Sequence, residues 1–288
     1  MKTESFFLLK LQAPDRIGLL ASITNLIAKH QGNLVEVQQY TSTLDKVFFG
    51  RLAFEISGLD KIEELKKNIS LLAQEIEAQW TLRDQSVPLK TILLVSKTNH
   101  CLADLLWRWR SQELNIAIQS VISNHEDLRS EVEREGLPFH YFPIPQEAAL
   151  KEQALQQMAA MIRRESAELL VMCRYMQVLP AWLCEEYKNR IINIHHSLLP
   201  AFVGADPYRQ AYNRGVKLIG ATCHYATEQL DAGPIIHQEM LRIEHFHSLN
   251  DIRRLGRDCE KLALARGIRF HADDRVLVYD GRSIVFGD

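Results

Sequence analysis

The segment Arg190–Pro200 reads RIINIHHSLLP, and its first half is a short, strongly apolar run. If this run is extended, Asn193 and His195 project to one side of the strand, while Ile192 and Ile194 point into the core. Similar apolar runs, mostly separated by helical patterns, occupy residues 90–96, 115–123, 139–143 and 169–173. Near-continuous apolar runs are typical of strands buried on both faces, so these predict a Rossmann-like, mostly parallel sheet covered by helices.

The residues before position 90 have a different hydrophobic pattern. Residues 5–12 read as a strand, residues 19–30 have a helical apolar face, and residues 34–42 and 47–56 read as a hairpin. A helix over 61–78 and a strand at 80–83 complete the order βαββαβ, which is the ferredoxin-like plan. The polar, proline-containing residues that follow predict a linker at 85–90 between domains 1–84 and 91–288. The fold class is therefore α/β with two domains.

Composition excludes several classes of protein. The 288 residues carry a formal net charge of −2 and no long Lys/Arg block, so nucleic acid and anionic membranes are not expected partners. The five cysteines are far apart and lack CxxC spacing, which favours reduced thiols over a disulfide framework or a structural zinc site. Without a run of about 18 apolar residues or a signal-peptide pattern at the start, we expect a cytoplasmic protein.

Two segments carry residue types suited to carbonyl chemistry. An Asn193 amide can donate to a developing oxyanion, and a His195 imidazole can move protons near neutral pH. Asp231 lies in a loop between two strand-like runs, and a carboxylate beside His195 would favour imidazolium and orient a water. From the residues alone, a strand-end hydrogen-bonding role for the first pair and an ordinary turn at 231–234 stay open.

Taken together, these segments resemble the folate-dependent formyltransferase family. Its signature is Asn-x-His-x-Ser-Leu-Leu-Pro followed by a Leu-Asp-x-Gly-Pro-Ile loop, and both parts are present at 193–200 and 230–235. The resemblance implies that Asn193 polarises a formyl oxygen, that His195 transfers protons, and that Asp231 positions His195 and the reacting water. It also implies a formyltransferase-type fold for the second domain.

Within that family the similarity runs furthest along the chain for the formyltetrahydrofolate deformylases. It rests on the stretches 14–19, 100–106, 123–125, 193–197, 207–208 and 220–225. The resemblance implies hydrolysis of 10-formyltetrahydrofolate to formate and tetrahydrofolate, which would supply formate for purine biosynthesis, with folate as substrate and no cofactor. Related transformylases carry a glycine-rich phosphate loop after the first strand, whereas residues 96–101 contain no glycine, which favours water as the acceptor. A formyltransferase with an unidentified amine acceptor and a non-catalytic folate or amino-acid sensor are the alternatives.

The resemblance also implies a folate cleft beside residues 173–180. The predicted substrate-binding residues are Arg174, Tyr175, Met176, Val178, Leu179, His224 and Gly233. Apolar side chains there can line a pterin site, although they can equally be core residues that follow a strand. Gln177, Asp206 and Arg209 depart from the family pattern, which leaves open how the glutamate tail is held. His196, Ser197 and His237 are weaker candidates, and these histidines assemble no metal site in sequence.

The first domain resembles ACT domains, which commonly bind an amino acid between copies. The positions that match such ligand sites are Asp15, Arg16, Ile17, Gly18, Leu19 and Asn33. Loop glycines there permit a positive φ or a close backbone approach. The resemblance implies an amino-acid effector and a homo-oligomer, dimer or tetramer, and a purely oligomerising role is the alternative.

Overall fold

The computed structural model describes residues 5–201 and 206–287, and their contacts divide the chain into two units. One unit comprises the described residues up to Pro88 together with Asp273–Leu277 and the described residues from Ile284 onwards. The other comprises Leu89–Ala272 and Val278–Ser283. None of the helices in the described residues is long and apolar enough to cross a membrane.

The first unit follows the order βαββαβ that the sequence predicts. Its elements are β1 (Ser5–Pro14), α1 (Leu19–Lys29), β2 (Asn33–Ser42), β3 (Val47–Ile56), α2 (Leu59–Glu75) and β4 (Gln79–Asp84). The strands pair in the order β2-β3-β1-β4, and all three pairings are antiparallel. The ferredoxin-like prediction is therefore confirmed.

Two helices cover one face of this sheet. In α1 the buried residues Leu19, Ile23 and Ile27 recur every four positions, which places them on one side of the helix. They share a core with Leu9 of β1 and Leu65 of α2. The amphipathic period seen in the sequence thus decides which side of α1 meets the sheet.

A cluster of charged residues ties the segment after Ala272 to the same unit. The Asp274 carboxylate lies 2.9 Å from Lys10 Nζ and accepts hydrogen bonds from Arg83 Nε and from Gln85 Nε2. The hydrophobic pattern does not reveal this contact, because it depends on charged side chains far apart in sequence. The boundaries 1–84, 85–90 and 91–288 remain a prediction, whereas the contacts group Leu89 with the second unit and Asp273–Leu277 with the first.

The second unit alternates strands and helices. Its elements are β5 (Leu89–Val95), α3 (His100–Arg110), β6 (Ile116–Ser123), α4 (Arg129–Arg134), β7 (Phe139–Tyr141), α5 (Ala148–Arg164), β8 (Leu169–Cys173), α6 (Ala181–Glu186), β9 (Ile191–His195), α7 (Pro207–Arg214), β10 (Leu218–Tyr225), β11 (Ile235–Arg242) and α8 (Leu249–Ala272). A hairpin of β12 (Val276–Tyr279) and β13 (Arg282–Val285) follows.

The large sheet has the order β11-β10-β9-β8-β5-β6-β7. Strands β5 to β9 pair in parallel, whereas β10 is antiparallel to both β9 and β11. All residues of β8 are buried, as expected for a strand covered on both faces. The prediction of a mostly parallel sheet is therefore confirmed. Polar residues at the carboxyl end of β9 consequently lie at the sheet edge where ligands bind in such folds.

Candidate active site

Strand β9 presents an amide and an imidazole on the same side. Ile192 and Ile194 are buried in the core. Asn193, which lies between them, is half-buried, and His195, which follows them, is buried. In the antiparallel pairing with β10, Asn193 lies opposite His224. Directly opposite residues point to the same face of a sheet, so β10 adds a second imidazole to this face.

His224 orients the Asn193 amide. Its Nδ1 lies 2.9 Å from the Tyr225 carbonyl oxygen, and a carbonyl only accepts, so Nδ1 carries the proton. In the neutral ring Nε2 is then an acceptor, and it accepts from Asn193 Nδ2 at 3.1 Å. The amide keeps a second N–H, which can donate to a carbonyl oxygen of a ligand.

Asp231 meets His195 from the loop between β10 and β11. Its Oδ2 lies 3.1 Å from His195 Nδ1, whereas its Oδ1 is 3.6 Å from His224 Nε2, too far for a good hydrogen bond. The hydrogen bond from His195 holds the pKa of Asp231 well below its usual range, so the carboxylate is ionised. His195 Nε2 is buried and has no hydrogen-bond partner among the residues that the structure describes.

The tight loop that carries Asp231 depends on Gly233. A Cβ at Gly233 would lie 1.8 Å from the Tyr225 carbonyl oxygen, so any larger residue would displace the backbone. Tyr225 N–H donates to the Pro234 carbonyl oxygen at 2.9 Å and closes the loop. Asp231 itself has a φ of 54°, a left-handed conformation that Asp adopts more readily than most residues. The Leu-Asp-Ala-Gly-Pro sequence therefore encodes the position of the carboxylate.

Comparisons with known proteins agree with this arrangement. The formyl transferase family pattern matches residues 89–268, and the ACT domain pattern matches residues 7–74. A formyltetrahydrofolate deformylase of Synechocystis sp. is 42% identical over 96% of this chain and 97% of its own length. The crystal structure of a formyltetrahydrofolate deformylase from Pseudomonas syringae pv. tomato superimposes with a TM-score of 0.94 at 44% identity, covering 99% of this chain and 95% of that one.

The chain belongs to the formyltetrahydrofolate deformylase family. A second group of solved structures shares only part of the chain. A glycinamide ribonucleotide transformylase from Symbiobacterium toebii has a TM-score of 0.65 at 26% identity and covers 72% of this chain but 98% of its own. The similarity to deformylases therefore covers both the ACT and the formyl transferase regions of this chain, whereas the similarity to this transformylase covers only part of the chain.

In this deformylase-family chain, a cleft of about 1010 Å³ is lined in part by residues on either side of Asp231. One wall is formed by α6 and the residues after it, and the other by Ala226–Gln229, which lead directly to Asp231. The lining residues are Ala181, Trp182, Cys184, Glu185, Lys188, Asn189, Ala226, Thr227, Glu228, Gln229, Pro234, Val278 and Gly281. Of these only Pro234 belongs to a motif that was singled out from the sequence, because a cleft wall has no local pattern.

The predicted substrate-binding residues separate into two groups. Met176 and Val178 are exposed on the loop after β8, whereas Tyr175 and Leu179 are buried in the core beneath it. Burial raises the pKa of Tyr175, and its hydroxyl faces the Met158 sulfur. The side chains of Tyr175 and Leu179 therefore support the loop rather than line a cleft, which corresponds to the core alternative for those two positions.

Arg174, His224 and Gly233 have other contacts. Arg174 has a φ of 60° and its Nε lies 3.4 Å from Glu260 Oε2. His224 holds Asn193, and Gly233 permits the loop, so both act on the site through neighbouring groups. The loop after β8 is anchored by Met176 N–H, which donates to Ser96 Oγ at 3.0 Å.

Glu260 is the main residue of this region that the sequence analysis missed. It is buried on α8 and lies on the four-residue stripe that also contains Ile252, Gly256, Leu264 and Ile268. A charged residue on an otherwise apolar stripe is the signal that could have found it. Ligand atoms of His100, Cys101 and Glu260 lie within 4.8 Å of one another, but the carboxylate is already engaged by His100 and Arg174, and burial raises the pKa of the Cys101 thiol. That no metal is bound remains a prediction.

The remaining candidates have structural contacts. Asp206 caps α7 and pairs with Arg209 Nε at 3.1 Å and Arg253 Nη2 at 2.9 Å, so two of the family departures contact each other. Gln177 is half-exposed on the loop after β8. Ser197 Oγ donates to the Ala201 carbonyl oxygen at 2.7 Å, and His237 Nε2 lies 2.9 Å from Glu239 Oε1.

The predicted effector positions lie mostly on one exposed loop of the first unit. Asp15, Arg16 and Ile17 are exposed, and Gly18 has a φ of 90°, a positive value of the kind that a loop glycine permits. Leu19 is buried and belongs to the core, so it supports the loop from beneath. Asn33 is exposed at the start of β2.

Proposed function

We propose that this chain hydrolyses 10-formyltetrahydrofolate to formate and tetrahydrofolate, with Asn193, His195 and Asp231 as the reacting and orienting groups. One observation carries the proposal: His195 is held by an ionised Asp231 through Nδ1, and its Nε2 is buried without a partner among the described residues. A buried basic nitrogen of this kind can take a proton from water at neutral pH.

In this mechanism Asn193 and His195 act on one carbonyl group. The free N–H of Asn193 donates a hydrogen bond to the formyl oxygen, and this hydrogen bond strengthens as the oxygen becomes an oxyanion. His195 Nε2 removes a proton from water while the water oxygen forms a bond to the formyl carbon. The carbon–N10 bond then breaks, the proton passes to N10, and formate and tetrahydrofolate leave. Asp231 stabilises the imidazolium that exists between the two transfers.

The folate occupies the cleft between α6 and the Asp231 loop in this proposal. The cleft volume of about 1010 Å³ is at the upper end of the usual range for small-molecule sites. Trp182 offers a ring surface for a flat pterin, and Lys188 a positive charge for a carboxylate. The exposed Met176 and Val178 are proposed to add apolar surface for the same ligand.

Water is the acceptor in this proposal because the similarity to deformylases spans 96% of the chain, whereas transformylase similarity covers 72%.

An ACT effector is proposed at residues 15–18 and Asn33, with Leu19 as their support. An amino acid there would act on an assembly of copies, dimer or tetramer, since ACT-type sites commonly lie between copies. The cytoplasmic location stays a prediction.

The test is to incubate the chain with 10-formyltetrahydrofolate in the absence of amines and to quantify formate and tetrahydrofolate. We expect equal amounts of both products and loss of both in Asn193→Ala. Consumption of the substrate only after an amine is added would instead identify a formyltransferase. Binding of folate without turnover would identify a sensor.

A further inference from the structure

A second buried network lies beside the Asn193, His195 and Asp231 site and centres on Glu260 of α8. The Glu260 side chain is 1% exposed, and its Oε2 accepts from His100 Nε2 at 2.8 Å and lies 3.4 Å from Arg174 Nε. Its Oε1 accepts a hydrogen bond from the Tyr208 hydroxyl. The start of α3, the residue after β8 and the first turn of α7 therefore converge on one carboxylate.

This carboxylate is ionised. Burial alone raises the pKa of Glu260, but the hydrogen bond from His100 and the charge of Arg174 outweigh burial, and the pKa lies below its ordinary value. A buried charge is costly to maintain even when it is paired. Buried titratable clusters with shifted pKa values concentrate at functional sites, which makes the neighbours of Glu260 informative.

His196 connects the network to the reacting centre. Its ring centre is 5.7 Å from that of Tyr208 and 5.3 Å from that of His195. Burial, and after it the charge of Arg174, lowers the pKa of His196 to about 4, so this ring is neutral near pH 7. Tyr208 and His195 are thus both neighbours of one uncharged, half-buried ring.

Helix α8 fixes the Tyr208 ring as well as its hydroxyl. Gly256 lies four residues before Glu260, on the same face of the helix. A Cβ at Gly256 would lie 2.2 Å from the Tyr208 ring, so only glycine permits the ring to rest on the helix backbone. The position of Tyr208 against His196 is therefore set by two residues of α8.

Arg174 gives the network an electrostatic role. Its guanidinium opposes protonation of His196, and Glu260 has the opposite effect on the same ring. Without the carboxylate, the Arg174 charge would be uncompensated in a region of low dielectric constant. It would then oppose the gain of a positive charge by the His195–His196 ring pair, whose centres are 5.3 Å apart.

We propose that Glu260 is a positioning residue for the hydrolytic centre: through Tyr208 it holds His196 against His195, and through Arg174 it cancels a positive charge that would resist proton uptake by His195. The proposal rests on the proposed function of His195 as the base. Among the residues that the structure describes, the titratable and charged groups of the two networks around these imidazoles are Asp231 from the β10–β11 loop, His224 from β10, Arg174 after β8, Tyr208 from α7, Glu260 from α8 and His100 from α3.

The test compares Tyr208→Phe and Glu260→Gln with Asp258→Asn, a control on the same helix whose exposed carboxylate pairs with Lys261. The readouts are kcat and KM for 10-formyltetrahydrofolate over a range of pH, and thermal melting. For Tyr208→Phe we expect kcat to fall about tenfold while KM changes less than about twofold, because a small displacement of the base affects the reaction more than binding. For Glu260→Gln we expect a larger fall, with the acid limb of the kcat profile moved to lower pH.

Several outcomes decide the proposal. An unchanged kcat in Tyr208→Phe together with an unchanged acid limb in Glu260→Gln would overturn it, as would activity that falls only in proportion to folded protein. If Glu260→Gln does not fold, Tyr208→Phe alone decides through its kcat and KM. A parent chain that releases no formate would overturn the proposed function and this proposal with it, whereas an active parent with unaffected variants would overturn this proposal only.

Discussion

Asp231 and Asp274 lie in different units of the molecule but have similar local environments. Both have a left-handed backbone, with φ values of 54° and 51°, and their side chains are 11% and 12% exposed. Both have a pKa below the ordinary value for aspartate. They differ in their partners, because Asp231 meets the imidazole of His195, whereas Asp274 meets Lys10 and Arg83.

The difference in partners separates the carboxylate that we propose to be catalytic, Asp231, from a structural one, Asp274. Lys10 and Arg83 carry a fixed charge at neutral pH, so Asp274 forms a permanent ion cluster that stabilises the fold. An imidazole gains and loses its proton near neutral pH, so the stabilisation that Asp231 offers varies during a proton transfer. Burial and backbone conformation of an aspartate therefore do not identify its role, and the titration range of its partner does.

The largest expected effect is that of Asp231→Asn. The amide preserves the shape of the loop but cannot stabilise an imidazolium as a carboxylate does, so we expect kcat to fall by about 10²- to 10⁴-fold. Formate release from 10-formyltetrahydrofolate measures this, with circular dichroism to establish folding. The matched control is Asp274→Asn, for which kcat per folded molecule is expected to stay within about twofold of the parent value. Comparable kcat losses in both variants would remove the distinction between the two aspartates.

Gly233→Ala tests the loop that places Asp231. Its Cβ would lie 1.8 Å from a backbone carbonyl oxygen, so the loop must shift and carry the carboxylate away from His195. We expect kcat to fall by about 10²-fold, because a displacement of about 1 Å is enough for such a loss. Gly136→Ala is a control in the loop between α4 and β7, where nothing lies within 4 Å of the added Cβ although φ is 76°. A Gly233→Ala variant with parental kcat would contradict the loop's role.

Asp274→Asn tests the structural member of the pair. The substitution leaves Lys10 and Arg83 without their ionised partner in a site that is only 12% to 19% exposed, so we expect the free energy of unfolding to fall by about 2 kcal/mol. Urea denaturation of the full chain measures this. Asp258→Asn, which removes an exposed pair with Lys261, should cost less than about 0.5 kcal/mol. Equal losses in the two variants would mean that burial of the Asp274 cluster adds nothing.

Much of the fold could be predicted because it depends on local patterns. The period of α1 and the near-continuous apolar runs of β5 and β8 each report how many faces of an element are buried. The packing of Asp273–Leu277 with the first unit could not be predicted in this way. It depends on ion pairs between Asp274 and residues about 190 and 260 positions away, and the hydrophobic period does not contain such information.

The residues of the candidate site also divide into those with a local sequence pattern and those that depend on contacts between distant parts of the chain. Asn193, His195 and the Asp231 loop lie in short motifs whose strand alternation and turn could be read from the residues, whereas the proposed roles of these residues were implied by the resemblance to the formyltransferase signature. Glu260 was missed because its partners come from three other elements, and Tyr175 and Leu179 were assigned to a cleft because an apolar side chain after a strand can face either way. Residues whose role depends on convergence in space are therefore the ones that a single sequence leaves open.

The smallest expected effect concerns acid stability. The pKa of Asp231 and of Asp274 is lower in the folded chain than in the unfolded chain, so each contributes stability above about pH 4 that is lost as pH falls through the folded value. For Asp274, burial raises the pKa but the charges of Lys10 and Arg83 lower it by more. In Asp274→Asn and in Asp231→Asn, the free energy of unfolding should therefore fall less steeply on acidification, by at most about 1.4 kcal/mol per pH unit for one proton. Denaturation curves of the parent and of both variants at a series of acidic pH values measure these slopes. Parallel slopes in the parent and both variants would mean that neither aspartate is held ionised by its partners, and the comparison would lose its electrostatic basis.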